Sequence, residues 1–159
     1  MDLFVIGTPL SLSLSLSLSD CAPHHLTGTQ ESPLALGAST KWFKTLEETV
    51  GDGYVTVATR SMYQNHLWVS TKRAHASKIT GVETYQAEQG IGNVWGNKGG
   101  TAVALRFNGH RLAFVNTHLA AHAEKVEKRN ADIGNIVQEV RFGIYSQVEF
   151  HTQYLLRAI

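Results

Sequence analysis

The sequence predicts an α+β layered fold, successive antiparallel strands framed by helices on the outside. Three observations predict it. Thr101–Phe107 and His110–Thr117 are apolar alternating runs joined by Asn108-Gly109, a dipeptide that tolerates the positive φ values of a two-residue type I′ turn. Segments of helical period stand before the first clear strand pair and after this hairpin. The regular strand-helix alternation of a doubly wound nucleotide fold is missing.

Taken in order, residues 3–7 (Leu-Phe-Val-Ile-Gly) have the length and branching of a buried strand. From Pro9 to Ser19 serine alternates with leucine, a low-complexity tract that reads as disorder or a stray exposed strand. Thr40 reads as the N-cap of a helix over Lys41–Val50, with Phe43, Leu46 and Val50 on one face and Gly51-Asp52-Gly53 closing it. Tyr54–Thr59, Leu67–Thr71 and Ile79–Ala87 are rich in Val, Tyr, Trp and Thr and read as strands. After the hairpin, Ala120 to Val140 is helical by pattern: Ile133, Ile136, Val137 and Val140 share a face, Glu124 precedes Lys128 by one turn, and Gly143 ends the run.

A length of 159 residues suits one domain on a prior of roughly 100–200 residues each. The 43% hydrophobic share is enough for a packed core. The net charge of +1 hides a division, because residues 1–40 hold Asp2, Asp20 and Glu31 but no Lys or Arg, leaving the remainder mildly basic. That balance suits a small anionic ligand and argues against nucleic acid, whose backbone demands a larger basic excess. The lone Cys21 excludes an internal disulfide and a multi-cysteine zinc site. No apolar run approaches the roughly 18–20 residues of a transmembrane segment. Asp2 and the lack of a basic residue before Lys41 argue against a signal peptide, so the chain reads as cytoplasmic.

Three stretches can carry chemistry. Gly90 to Gly100 holds five glycines and Lys98 just before a strand; glycines let backbone amides approach an anion, and Lys98 adds a formal charge. It is not a Walker loop, since Gly99 follows the lysine where a metal-binding hydroxyl is needed. His118 closes an apolar strand at Leu112–Val115, where a histidine can give or take a proton if a carboxylate orients it; a buried histidine bonded to backbone carbonyls is the other reading. His118 and His122 have the spacing of metal ligands, but a zinc site needs a third ligand and no HExxH pattern is present. Glu31, after Gln30, is a carboxylate that suits a hard cation such as Mg²⁺. His24, His25, His66, His75, His110 and His151 carry no pattern and read as surface or filler.

Taken together, Gly-Asn-Lys-Gly-Gly (96–100), the Asn-Gly hairpin, Phe114-Val-Asn-Thr-His-Leu-Ala-Ala-His122 and Arg129-Asn-Ala-Asp132 resemble the inositol polyphosphate 5-phosphatases. The resemblance extends upstream through Trp42, Gly53-Tyr54, Leu67 and Ile79–Glu83, so it covers residues 39–142. It implies the four-layer α/β/β/α sandwich of the endonuclease/exonuclease/phosphatase superfamily, and Mg²⁺-dependent removal of the 5-phosphate from inositol polyphosphates and phosphoinositides. In that resemblance Glu31 matches the metal-binding glutamate and His118 the histidine at the scissile phosphate. Asn97, Lys98, His122 and Arg129 match segments that line the substrate cleft, with Lys98 and Arg129 expected to hold phosphates, the arginine by a two-pronged contact. A nuclease of the same superfamily is disfavoured, because no aromatic-basic stacking pattern is present. A phosphoinositide substrate implies contact with a membrane surface.

The sequence departs from the resemblance in two places. Gly-Thr stands at Gly7-Thr8 and again at Gly28-Thr29, as if a segment had been inserted into one core strand. Residues 1–38 are therefore expected to hold a short strand plus a mostly irregular insertion, and 39–159 part of a phosphatase catalytic domain. The family's later Trp-x-Gly-Asp-x-Asn, Pro-x-Trp-x-Asp-Arg and Asp-His segments are not in the chain. The expectation is a fragment of a catalytic domain, weakly active or inactive alone, with an apolar sheet face left uncovered. The alternative is an inactive phosphoinositide-binding or interaction fragment.

Overall fold

The computed structural model describes residues 2–7, 14–17, 24–30, 37–89 and 98–139. Their strands are β1 (Asp2–Gly7), β2 (Leu14–Ser17), β3 (His24–Thr29), β4 (Tyr54–Met62), β5 (Asn65–Lys72), β6 (Ile79–Glu88), β7 (Gly99–Phe107) and β8 (His110–His118). Two helices frame them, α1 (Ala38–Val50) and α2 (Val126–Glu139). One sheet has the order β1-β8-β7-β6, with β1 parallel to β8 and the other pairs antiparallel; the second has the order β2-β3-β5-β4, antiparallel throughout.

Alternation along the strands explains why the sheets stack. On β7, Val103 and Leu105 point between the sheets and meet Leu26, Leu67, Val69 and Phe114. The intervening Ala102 and Ala104 point outward and pack with Ala87, Ala113, Val115 and Ile136 of α2. On the other sheet's outer face, Trp42 and Phe43 of α1 lie against the ring of His66. Thr56 Oγ1 there donates to Glu47 Oε1 at 2.5 Å and accepts from Trp68 Nε1 at 3.0 Å, joining α1 to β4 and β5. The layers run α1, sheet, sheet, α2, the four-layer sandwich that the resemblance implies.

Several expectations hold in detail. Asn108 and Gly109 have φ 50° and 80°, the conformation a type I′ hairpin requires, and β7 pairs with β8 in unbroken register from Phe107↔His110 to Gly99↔His118. The first helix begins at Ala38, three residues before the expected Lys41, with Gly37 rather than Thr40 at its N-cap and no side-chain cap. The second begins at Val126 instead of Ala120, because His122 takes φ 79° and interrupts the helical path. Its stabilising pair is Lys128–Asp132 at 3.4 Å rather than Glu124–Lys128. Val140 and Gly143 lie outside the described residues.

Other features differ from expectation. The stretch 1–38 holds three strands, and β3 contributes the buried Leu26 and Thr27 to the core. Among the described residues the two glycines of the repeated Gly-Thr stand in different sheets: Gly7 ends β1 and pairs with Thr117, and Gly28 of β3 pairs with Leu67. The inner sheet faces cover one another, and among the described residues the large apolar side chains left exposed are Tyr63, Val82 and Val126. His66, expected at the surface, is buried, its Nδ1 2.9 Å from Ser61 Oγ. Among the described residues no helix is long and apolar enough to cross a membrane.

A polar seam joins the sheets at the end where β8 and β3 finish. Asn116, fully buried on β8, points across to the second sheet; its Nδ2 donates to Thr29 O (3.0 Å) and His66 O (2.9 Å) and also meets Asn65 Oδ1. Asn65 Nδ2 returns a bond to Asn116 O at 3.3 Å. A Cβ on Gly28 would stand 2.7 Å from Asn116 Cγ, so the seam closes only over a glycine.

Two outcomes follow. Gly28→Ala displaces the Asn116 amide and leaves buried polar groups unpaired, a loss of about 2 kcal/mol in urea unfolding. Gly109→Ala, with open space around its Cβ but φ 80°, loses only about 1 kcal/mol. Equal losses would show that the seam is not what the glycine protects. Burial lowers the pKa of His66 and, with a smaller effect from nearby His75, that of His24 below the ordinary 6.5. The unfolded chain therefore binds more protons below that value, so stability is complete above 6.5 and declines as pH falls toward the lowered folded values. The urea midpoint drops between about pH 7.5 and about pH 5.5, and His66→Gln reduces the drop.

Candidate functional site

Four strand ends meet beside the seam. In the β7–β8 register Gly99 faces His118, so the residue before β7 and the last residue of β8 are neighbours. Gln89 N–H donates to Lys98 O at 2.9 Å, extending the β6–β7 ladder by one step and fixing the lysine backbone. The outcome is a direct contact: Lys98 Nζ lies 2.6 Å from Nε2 of the buried His118. An ammonium has three donors and no acceptor, so Nε2 accepts and the ring proton stands on Nδ1. A fixed positive charge and a neutral imidazole thus share one point at the mouth of the sandwich, an arrangement suited to binding and polarising an anionic oxygen.

Gln30 is brought to the same place. Its buried side chain donates to the carbonyl of Thr117, the residue before His118, while Thr29 is held by Asn116. The chain position that precedes Glu31 is therefore anchored to the strand that ends in His118. Glu31 itself and Asn97 lie outside the described residues, as does the glycine loop over 90–97.

The two glycines that follow Lys98 have packing reasons to be glycine. A Cβ on Gly99, which has φ 147°, would fall 2.1 Å from Ala87 O, and one on Gly100 would fall 2.7 Å from Ile136 Cγ2. Close approach of β7 to β6 and α2, rather than approach of an anion, explains both residues.

His122 and His118 are not on one helical face. His118 ends β8, and His122 is exposed at the head of a 3₁₀ turn over Ala123–Lys125. Arg129, on the first turn of α2, directs its guanidinium to the carbonyls of Ala120, His122 and Ala123. All three acceptors of the guanidinium are backbone carbonyls. Among the described residues no group of three or more His, Cys, Asp or Glu could hold a metal ion.

Asn116 stands in the motif that the sequence singles out, but sequence reasoning gave it no role of its own. Its signal was available: on β8 the side chains of Phe114, Asn116 and His118 alternate onto the inter-sheet face, and an amide at a core position demands partners. Asn65, flanked by turn residues, offers no comparable signal.

The chain matches the family model "Endonuclease/Exonuclease/phosphatase family 2" over residues 10–157. It is 34% identical over 131 residues to human phosphatidylinositol 3,4,5-trisphosphate 5-phosphatase 1, covering 79% of this chain and 11% of that protein. It is 33% identical over 146 residues to phosphatidylinositol 3,4,5-trisphosphate 5-phosphatase 2B of Danio rerio, covering 88% of this chain and 12% of that protein. Among solved structures, the inositol polyphosphate 5-phosphatase domain of SPsynaptojanin, in complex with inositol (1,4)-bisphosphate and calcium ion, superimposes with a TM-score of 0.66 at 23% identity over 87% of this chain and 46% of that one. A Cimex nitrophorin shares the fold at a TM-score of 0.52 and 11% identity. The chain spans a small part of the curated relatives and under half of the solved phosphatase domain. Motif order, layer architecture and these matches agree: the chain belongs to the inositol polyphosphate 5-phosphatases of the endonuclease/exonuclease/phosphatase family.

Proposed function

We propose that the chain forms the phosphate-holding part of a Mg²⁺-dependent phosphatase that removes the 5-phosphate of inositol polyphosphates and phosphoinositides. The observation that carries this reading is the 2.6 Å contact between Lys98 Nζ and His118 Nε2, beside the strand end that leads into Glu31. A phosphate oxygen arriving at the mouth competes for the ammonium. With Lys98 turned toward that oxygen, Nε2 of His118 is released as a proton acceptor or, once protonated, as a second donor to the same phosphoryl group. Charge developing on the phosphoryl oxygens is met by groups already in place, which is the larger part of what phosphate hydrolysis requires. Asn97 and His122 are proposed as further substrate contacts from the flanking segments.

The described donors do not by themselves make a Mg²⁺ site. That ion prefers oxygen ligands, whereas Lys98 and His118 offer nitrogen; the seam engages the amide nitrogens of Gln30 and Asn116 and leaves Asn116 Oδ1 buried without a hydrogen-bond partner, one oxygen where the ion needs several. The reading places the ion on Glu31, and the roles of Lys98 and His118 above do not depend on it. A substrate carried on a phosphoinositide puts the same site at a membrane surface of a cytoplasmic protein.

The test is phosphate release from inositol 1,4,5-trisphosphate with Mg²⁺, together with calorimetric binding of the same ligand. A general acid–base group is worth roughly 10²–10⁴-fold, so His118→Ala brings the slow release of this chain down to the buffer background, while Lys98→Ala weakens binding by at least about tenfold. Binding without release supports the inactive phosphoinositide-binding fragment instead. Neither binding nor release overturns both.

A further inference from the structure

Arg129 has two possible employments, and its geometry favours the less obvious one. Its Nη1 donates to the carbonyls of Ala120 at 3.2 Å and His122 at 2.5 Å, and its Nη2 to that of Ala123 at 3.3 Å. All three acceptors lie in the turn that leads from His118 to α2. The middle one, His122, has φ 79° and ψ 136°, a region that a residue with a side chain enters at a cost of about 1–3 kcal/mol and keeps only when surrounding contacts over-determine it. Those contacts are visible: His122 O is held by Arg129 and also by the amide of Lys125 at 3.2 Å.

We propose that Arg129 is a positioning residue, a guanidinium clasp that holds the turn over residues 119–125, and His122 within it, in this strained path. Three carbonyls at different heights need the planar fork of an arginine; a lysine ammonium carries the same charge on one nitrogen and cannot span them. The clasp stands on geometry alone. Its consequence for ligand binding rests on the phosphatase reading above.

The experiment compares wild type, Arg129→Lys and Arg129→Ala in the full chain without ligand, reading backbone hydrogen exchange over residues 120–125. Exchange there quickens by at least about tenfold in both variants, while β7 and β8 amides keep wild-type rates. Affinity for inositol 1,4,5-trisphosphate then falls by the same factor in lysine and alanine. An arginine that only binds phosphate behaves otherwise, losing affinity while the turn keeps its wild-type protection in both variants. Wild-type exchange in Arg129→Ala, or rescue of the turn by lysine, overturns the clasp. Absence of trisphosphate binding in wild type counts against the phosphatase reading, and the exchange comparison still decides the clasp.

Discussion

A single buried amide sets the geometry of this molecule. Asn116 crosses from one sheet to the other and bonds the backbone at Thr29 and His66. An unpaired amide in such a place costs about 1–3 kcal/mol, so the sheets have one favourable relative placement at this end of the sandwich. Two residues further along β8 is His118, and one residue beyond Thr29 is Gln30, itself bonded to Thr117. The seam therefore works as a spacer: it fixes how far the strand that ends in the imidazole stands from the strand that leads into Glu31. Gly28 is the other half of the device, since only a residue without Cβ leaves room for the amide.

Much of the fold was legible because its signals are local. The Asn108-Gly109 turn needs no tertiary help, and the apolar faces of α1 and α2 follow from 3.6-residue spacing. What could not be read was the use of the repeated Gly-Thr. By pattern alone, one strand interrupted by an insertion and two strands in different sheets look identical. The distinction lies in pairing partners, Thr117 for Gly7 and Leu67 for Gly28, which are remote in the chain. The start of α2 was misplaced for a related reason: helix propensity runs through Ala120 and Ala121, and a tertiary clasp on His122 overrides it.

The site was legible to a different depth at each residue. Lys98 and His118 stand at the beginning and the end of a hairpin whose register the sequence already implies, so their meeting follows from counting along β7 and β8. The backbone contacts of Arg129 were not legible, because the resemblance only assigns this residue to the substrate cleft. Its actual acceptors are backbone carbonyls, which no side-chain pattern advertises. The same fold supports proteins as different as a 5-phosphatase domain and a nitrophorin, so function has to be argued from groups such as these rather than from the layers.

The account depends most on Lys98 and His118 acting as one anion-receptive unit. Long-range proton–nitrogen correlation NMR of the His118 imidazole, recorded above its titration range with and without inorganic phosphate, tests this directly. The account predicts a proton on Nδ1, an Nε2 resonance shifted by the lysine contact, and a change at Nε2 when phosphate is added and draws the ammonium away. A proton on Nε2, or an Nε2 signal indifferent both to phosphate and to Lys98→Ala, would contradict it.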